Sequence, residues 1–250
     1  MQVLKLINIG KVYGSKKSIK QYMALKNISF EVMEGEFIGV MGPSGSGKTT
    51  LLNILGSIDK PTTGRLIMGD KDITSLNKKQ LAKHRIENIG FIFQDYNLLE
   101  TMTLKENIIL PLALSGHKPG VMEDKLKKIS KNMGITKVLG KYPYEVSGGE
   151  QQRAAACRAL ITNPKIILAD EPTGNLDSKS GKDLLELLSF INNEYKTTIL
   201  MVTHDVFAAS YCEKIMFIRD GEIYNELYAG NNKKEFFDSI IDVMSVLGGE

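Results

Sequence analysis

Residues 37–50, Phe-Ile-Gly-Val-Met-Gly-Pro-Ser-Gly-Ser-Gly-Lys-Thr-Thr, constrain the fold more than any other stretch of the chain. An apolar run leads into three glycines, Lys48 and two threonines, and then into the helix-forming residues 51–55. Gly42 and Gly47, followed by Lys48 and Thr49, satisfy the pattern G-x-x-x-x-G-K-[ST] without a gap. Glycines let such a loop turn its backbone N–H groups inward, in conformations that a Cβ forbids. The helix that follows aims its positive end at the same point. The pattern therefore describes a strand, a phosphate-binding loop and a helix. Gly42, Pro43, Ser44, Gly45, Ser46, Gly47, Lys48, Thr49 and Thr50 form the candidate nucleotide-binding set. Lys48 supplies a point charge for β- and γ-phosphates, and the Thr49 hydroxyl a ligand for Mg²⁺.

At 250 residues the chain has room for one large domain or two small ones, and 42% apolar residues suffice for a sizeable core. A net charge of +3 is too small to argue for a nucleic-acid partner, and none is expected. Cys157 and Cys212 fit no metal-ligand spacing, so reduced thiols in a cytosolic protein are expected. No signal sequence is read at the N-terminus. The most apolar run, residues 108–114, is too short to span a bilayer and contains Pro111. A soluble protein is expected, so a membrane role requires a partner.

An α/β alternation surrounds the loop. Short β pieces are expected within residues 1–35, namely 2–7 and 24–32. A strand follows at 65–68, a helix at 77–86 and a buried strand at 89–93. Helical signals then run from Gln94 to Ile161 with no convincing strand. Thr103 and Glu106 form a capping box opening a helix through Leu110, and Leu126, Ile129 and Met133 mark one face of a second helix. The alternation returns with a strand at 165–169 and a helix whose inner face is Leu184, Leu187, Leu188 and Ile191. A strand at 197–202, a short helix at 206–211 and a hairpin about Asp220-Gly221 follow. The last helix carries Phe236, Phe237, Ile240, Ile241 and Met244 on one side. One domain is expected, with its core and β subdomain in 1–93 and 162–230, a helical insertion at 94–161 and a C-terminal helix at 231–250.

Two further stretches carry chemistry. Residues 166–171 are four apolar residues ending in Asp170 and Glu171. Alone this is an ordinary strand end. On a strand beside the phosphate loop it would bring Asp170 to Mg²⁺ and Glu171 to an attacking water. Ser147 and Glu150 form a capping box that by itself only starts a helix. The box does not explain Gly148 and Gly149 in the first turn, which lower helix stability by roughly 1 kcal/mol each relative to alanine. Bare backbone there suits the approach of a phosphate.

The segment Val146-Ser147-Gly148-Gly149-Glu150-Gln151-Gln152-Arg153 resembles the Leu-Ser-Gly-Gly-Gln signature of ABC-type ATPases, with Val146 for leucine and Glu150 for glutamine. The resemblance covers nearly the whole chain. It implies a P-loop NTPase core with an N-terminal antiparallel β subdomain and an inserted α-helical subdomain. Tyr13, by itself more often a packing residue, matches the aromatic that stacks on adenine. Gln94 matches the glutamine linking the Mg²⁺ site to the helical subdomain. Asp177, in Gly174-Asn175-Leu176-Asp177, matches the loop exchanged between protomers, and His204 the histidine at the γ-phosphate. The implied cofactors are ATP and Mg²⁺, with Thr49, Gln94 and Asp170 at the metal and Glu171 and His204 catalytic. The implied partners are a second copy, giving an ATP-sandwich homodimer in which Ser147, Gly148, Gly149 and Glu150 act in trans, and an integral membrane permease. That permease would hold the chain at the cytoplasmic face of the membrane. Tyr96, Asn97, Leu98 and Leu99 match its docking groove, although Leu98 and Leu99 taken singly read equally as core.

Within the family, residues 91–99, 204–212 and 236–249 look closest to the bacitracin- and lantibiotic-resistance (Bce-type) ATPases, in the branch shared with macrolide export and lipoprotein release. Asn175 departs from that subgroup, which often has alanine there. The resemblance implies resistance to antimicrobial peptides, with lipoprotein release or a cell-division role as the alternative. A soluble ABC ATPase of translation or repair is the more distant reading, since this chain has neither a second cassette nor a long coiled coil. Another P-loop NTPase would leave residues 146–153 and His204 unexplained.

Overall fold

The computed structural model describes residues 1–14, 21–93, 95–174 and 176–248. Gln94 and Asn175 lie outside the described residues. The N-terminal region forms two twelve-residue strands, β1 (Gln2–Tyr13) and β2 (Tyr22–Met33), rather than the short pieces the sequence suggested. Their pairing is interrupted by several register shifts, which break the alternation that marks a long strand. With β4 (Thr63–Met68) and β5 (Lys71–Asp72) they make an antiparallel sheet in the order β2-β1-β4-β5.

The second sheet adds β3 (Phe37–Met41), β6 (Ile89–Phe93), β7 (Ile166–Asp170), β8 (Thr198–Val202), β9 (Lys214–Arg219) and β10 (Glu222–Tyr228), in the order β10-β9-β3-β8-β7-β6. All neighbours are parallel except β9 and β10. Those two are joined at Asp220 (φ 51°) and Gly221 (φ 80°), the doubly left-handed turn that suits a tight hairpin.

The parallel strands read as unbroken apolar runs because both faces are covered. Ile38 and Val40 of β3, Leu200 and Val202 of β8 and Met216 and Ile218 of β9 face a core shared with the antiparallel sheet and α1 (Lys48–Leu55). Phe37 and Met41, Ile199 and Met201, and Ile215 and Phe217 face the other way, into a core built with the helices.

Those helices are α2 (Lys78–Asn88), α3 (Leu104–Leu114), α4 (Pro119–Asn132), α5 (Gly148–Leu160), α6 (Ser178–Tyr195), α7 (Val206–Ala209) and α8 (Lys233–Gly248). α2, at the edge strand β6, instead gives its buried Leu81 to the first core. Between residues 95 and 161 the described residues contain α3, α4, two short 3₁₀ turns and α5, and no strand. The capping box of Thr103 and Glu106 starts α3 as expected, but the helix continues past Pro111 to Leu114. Its buried residues Leu104, Asn107, Ile108 and Leu112 lie on both sides of the proline, and their packing outweighs the missing N–H.

Two expected helix faces need correction. In α6 the residue fully buried beside Leu184, Leu188 and Ile191 is Leu185, while Leu187 is only partly covered. In α8 the inner face is Phe236, Ile240 and Leu247, and Ile241 is exposed. Cys157 and Cys212 are buried free thiols, and burial pushes the Cys157 thiol up to about 12.

Candidate functional site

The phosphate loop joins β3 to α1, as the pattern requires. Gly42 (φ 151°) and Gly47 (φ 108°) hold positive φ angles, and a Cβ on either would lie 2.1 Å from the Ile218 carbonyl oxygen or 2.5 Å from that of Ala24. Both positions are therefore closed to other residues by conformation and by space. No side chain caps α1 and no acid occupies its first turn, so its leading amides keep their positive character. Lys48 is buried, and its Nζ donates to the carbonyls of Gly42 and Pro43 at 2.8 Å each. Burial pulls this ammonium below its usual range while Glu171 and Asp170 oppose the shift. Ser44, Gly45 and Thr49 are exposed, Pro43 and Thr50 half-buried, and Ser46 buried with an unpaired hydroxyl.

Asp170 ends β7. β8 lies between β7 and β3, so the acidic strand is the second neighbour of the loop strand and not its immediate one. Register compensates: Val40 pairs with Val202, and Val202 with Asp170, which puts the carboxylates in the row at the mouth of the loop. Phe93, the residue before Gln94, is in that row too. Burial, then the Glu171 charge, raises the Asp170 carboxyl, while Lys48 lowers it. Glu171 adopts a left-handed backbone (φ 43°), with its N–H on the Val202 carbonyl at 2.9 Å. The carboxylate Oε1 then stands 3.3 Å from Nδ1 of His204. Lys48, Asp170, Glu171 and His204 thus form one electrostatic cluster.

Ser147 caps α5. Its N–H and Oγ both donate to the Glu150 carboxylate, at 2.9 and 2.8 Å, and these contacts hold that carboxyl below its usual range. Gly148 and Gly149 have ordinary helical backbones, and a Cβ on either would meet nothing closer than 3.5 Å. The fold itself does not require glycine at these two positions. Asp177 caps α6 through the amides of Lys179 and Ser180. Tyr96 and Asn97 both hold left-handed backbones, Leu98 packs partly on the core and Leu99 is exposed.

Two contributors, Arg158 and Tyr22, had no sequence signal. Arg158 of α5 donates to the carbonyls of Tyr96 and Asn97, which ties the segment after Gln94 to the helix that begins at Ser147. Tyr13, at the end of β1, is partly exposed and donates its hydroxyl to Asp59 at 2.9 Å. Tyr22, its partner across β2, donates to the Gly45 carbonyl at 3.0 Å.

Loop, acidic strand end and capped glycine pair together define a nucleotide-binding ATPase cassette. The profile of the family described as ABC transporter matches residues 25–174. The ABC transporter ATP-binding protein YxdL of Bacillus subtilis is 51% identical over 99% of this chain and 95% of its own length. The bacitracin export ATP-binding protein BceA of Halalkalibacterium halodurans is 48% identical over 100% of this chain and 98% of its own. Among solved structures, the dimeric post-hydrolysis state of the ATP-binding cassette MJ0796 with ADP and Pi matches with a TM-score of 0.80. It is 39% identical to this chain, covering 92% of it and 100% of the solved chain. The chain belongs to the ABC transporter family, as an ATP-binding protein with ATPase activity.

Proposed function

We propose that two copies of this chain close on two ATP molecules and drive a membrane permease that protects a bacterium from antimicrobial peptides of the bacitracin and lantibiotic type. The observation that carries the catalytic part is the Glu171–His204 contact at the mouth of the Lys48 loop. In this reading Tyr13 stacks on adenine, and the amides of residues 42–50 and the Lys48 ammonium hold the β- and γ-phosphates. Glu171 takes a proton from water as the water oxygen attacks the γ-phosphorus. The bond to the bridging oxygen breaks, and ADP and inorganic phosphate leave. His204 orients Glu171 through Nδ1 and contacts the γ-phosphate.

One half-buried carboxylate, Asp170, and one hydroxyl, Thr49, are hard oxygen donors in the number Mg²⁺ takes from protein when phosphates and waters fill the remaining positions. With Gln94 they would hold it, and the bound ion would neutralise phosphate charge. Ser147, Gly148, Gly149 and Glu150 act on the partner's nucleotide, and Asp177 lies at the junction of the two copies. The unexplained glycines at 148 and 149 support that role, as does the dimeric state of the MJ0796 cassette. The whole chain acts as one cassette, with residues 94–161 as its helical part. Among the described residues no helix is long and apolar enough to cross a membrane, so membrane attachment at the cytoplasmic face falls to the permease, through residues 96–99. The similarity to BceA supports the peptide-resistance part.

Glu171→Gln should keep ATP binding and lose roughly 10²-fold or more of turnover; normal turnover would remove Glu171 from this role. An inactive Ser147 variant mixed with an inactive Lys48 variant should recover part of the activity, and no recovery at any ratio would refute the shared site. Deleting the gene should sensitise cells to bacitracin or a lantibiotic, with rescue by the wild type and not by Glu171→Gln. Unchanged sensitivity to both would remove the peptide-resistance part alone.

A further inference from the structure

The turn that follows the helix of the phosphate loop carries a carboxylate that reaches Tyr13. α1 spans eight residues, roughly 12 Å at 1.5 Å per residue. The chain beyond it is folded back on the helix, with the Asp59 N–H on the Asn53 carbonyl at 3.1 Å. From there Asp59 accepts twice from β1: Oδ1 from Lys11 Nζ at 2.7 Å and Oδ2 from the Tyr13 hydroxyl at 2.9 Å. Lys11 is 8% exposed, donates also to the Lys60 carbonyl at 2.7 Å, and places Nζ 4.8 Å from the centroid of the Tyr13 ring. On the opposite strand, Tyr22 faces Tyr13 and binds the Gly45 carbonyl of the phosphate loop. Tyr13 is therefore tied to the loop twice, its hydroxyl through Asp59, which is bonded back to α1, and its backbone through the paired Tyr22.

We propose that Asp59 is a positioning residue for the nucleotide, fixing the Tyr13 ring at a set distance from the phosphate loop, with Lys11 covering one ring face so that adenine stacks on the other. The proposal rests on the reading of Tyr13 as the base-stacking residue. An unrestrained tyrosine at a strand end loses rotamer freedom when the base binds, which weakens binding. Asp59 removes that freedom beforehand, by holding the hydroxyl and by holding the ammonium that lies on the ring. A buried lysine that merely closed the fold could be satisfied by the Lys60 carbonyl; the second carboxylate oxygen on the tyrosine hydroxyl is what directs the pair to the ring.

The test compares ATP with tripolyphosphate, which has no base, by titration calorimetry on the full chain. Asp59→Ala and Tyr13→Phe should each raise the ATP dissociation constant about three- to tenfold. The double variant should be no weaker than the weaker single one, and tripolyphosphate affinity should not change in any of the three. Tyr13→Phe keeps the ring and loses only the tie, so it reads the proposal even if Asp59→Ala folds poorly. Equal losses for ATP and tripolyphosphate would overturn the proposal, because a general structural defect acts on both ligands. Unchanged ATP affinity in Asp59→Ala and Tyr13→Phe would overturn it too. Tyr13→Ala separates the two levels: if it weakens ATP while those variants do not, only the role of Asp59 fails. If Tyr13→Ala binds ATP normally, the stacking role and the proposal fail together.

Discussion

Replacing Arg158 with alanine should loosen the segment after Gln94 while the helix that carries the arginine stays formed. The guanidinium donates to the carbonyls of Tyr96, at 2.7 Å, and Asn97, and both residues hold left-handed backbones with φ of 56° and 46°. Hydrogen bonds from a charged donor contribute about 1.5–3 kcal/mol each, so two lost bonds cost about 3–6 kcal/mol. Letting two non-glycine residues leave the left-handed region returns about 1 kcal/mol each. The balance is a net loss of about 1–4 kcal/mol. For a chain of this size that lowers the melting temperature by about 2–16 °C. Hydrogen exchange locates the effect: the Tyr96 amide, bonded to the Phe93 carbonyl, should lose protection, while the amides of β3 and β8 change only with global stability. Arg158→Lys should recover about half, because one ammonium cannot span two carbonyls as a planar fork does. A melting shift below about 1 °C, or unchanged protection at Tyr96, would refute the reasoning.

Gly45→Ala and Gly47→Ala should differ sharply in urea denaturation. At Gly45 (φ 78°) a Cβ meets open space, so only backbone strain of roughly 1 kcal/mol is paid. At Gly47 it would lie 2.5 Å from the Ala24 carbonyl oxygen and 2.8 Å from Leu25 Cδ2, and displacing β2 should cost about 3 kcal/mol or more. Acid should weaken two helix starts. Glu106 and Glu150 are held below the ordinary value of 4.5 by Thr103 and Ser147, so their stabilisation is full at neutral pH. It is lost as pH falls below 4.5 through the lowered folded values, which circular dichroism against pH would follow.

What was legible in the sequence was local. The strand–loop–helix at 37–55, the capping boxes at Thr103 and Ser147 and the Asp220-Gly221 hairpin each depend on residues in one short stretch of chain, and all formed as read. What failed depended on partners far along the chain. The helix through Pro111 survives because of its packing, and Ile241 faces out because the inner stripe of α8 runs through Leu247. The insertion of β8 between β3 and β7 leaves no trace in any single strand, since five neighbouring parallel strands all read as apolar runs. The contacts of Asp59 with Lys11 and Tyr13 span 48 and 46 positions, beyond any periodicity.

One long-range feature did leave a compositional trace. Only five of the 32 basic residues are arginine, in a chain that otherwise uses lysine. Arg85 donates to the Ser57 carbonyl at 2.7 Å, where Ser57 holds φ 55°, and Arg158 holds the left-handed pair Tyr96 and Asn97. Each fastens a turn outside regular structure, and at Arg158 two nitrogens of one guanidinium hold two carbonyls, which a single ammonium does not match. Ser57 lies two residues before Asp59, so Arg85 steadies the turn whose carboxylate bonds the Tyr13 hydroxyl, as Arg158 steadies the turn that follows Gln94. Two of the five arginines thus fasten the turns beside Asp59 and after Gln94, neither of which net charge could have indicated.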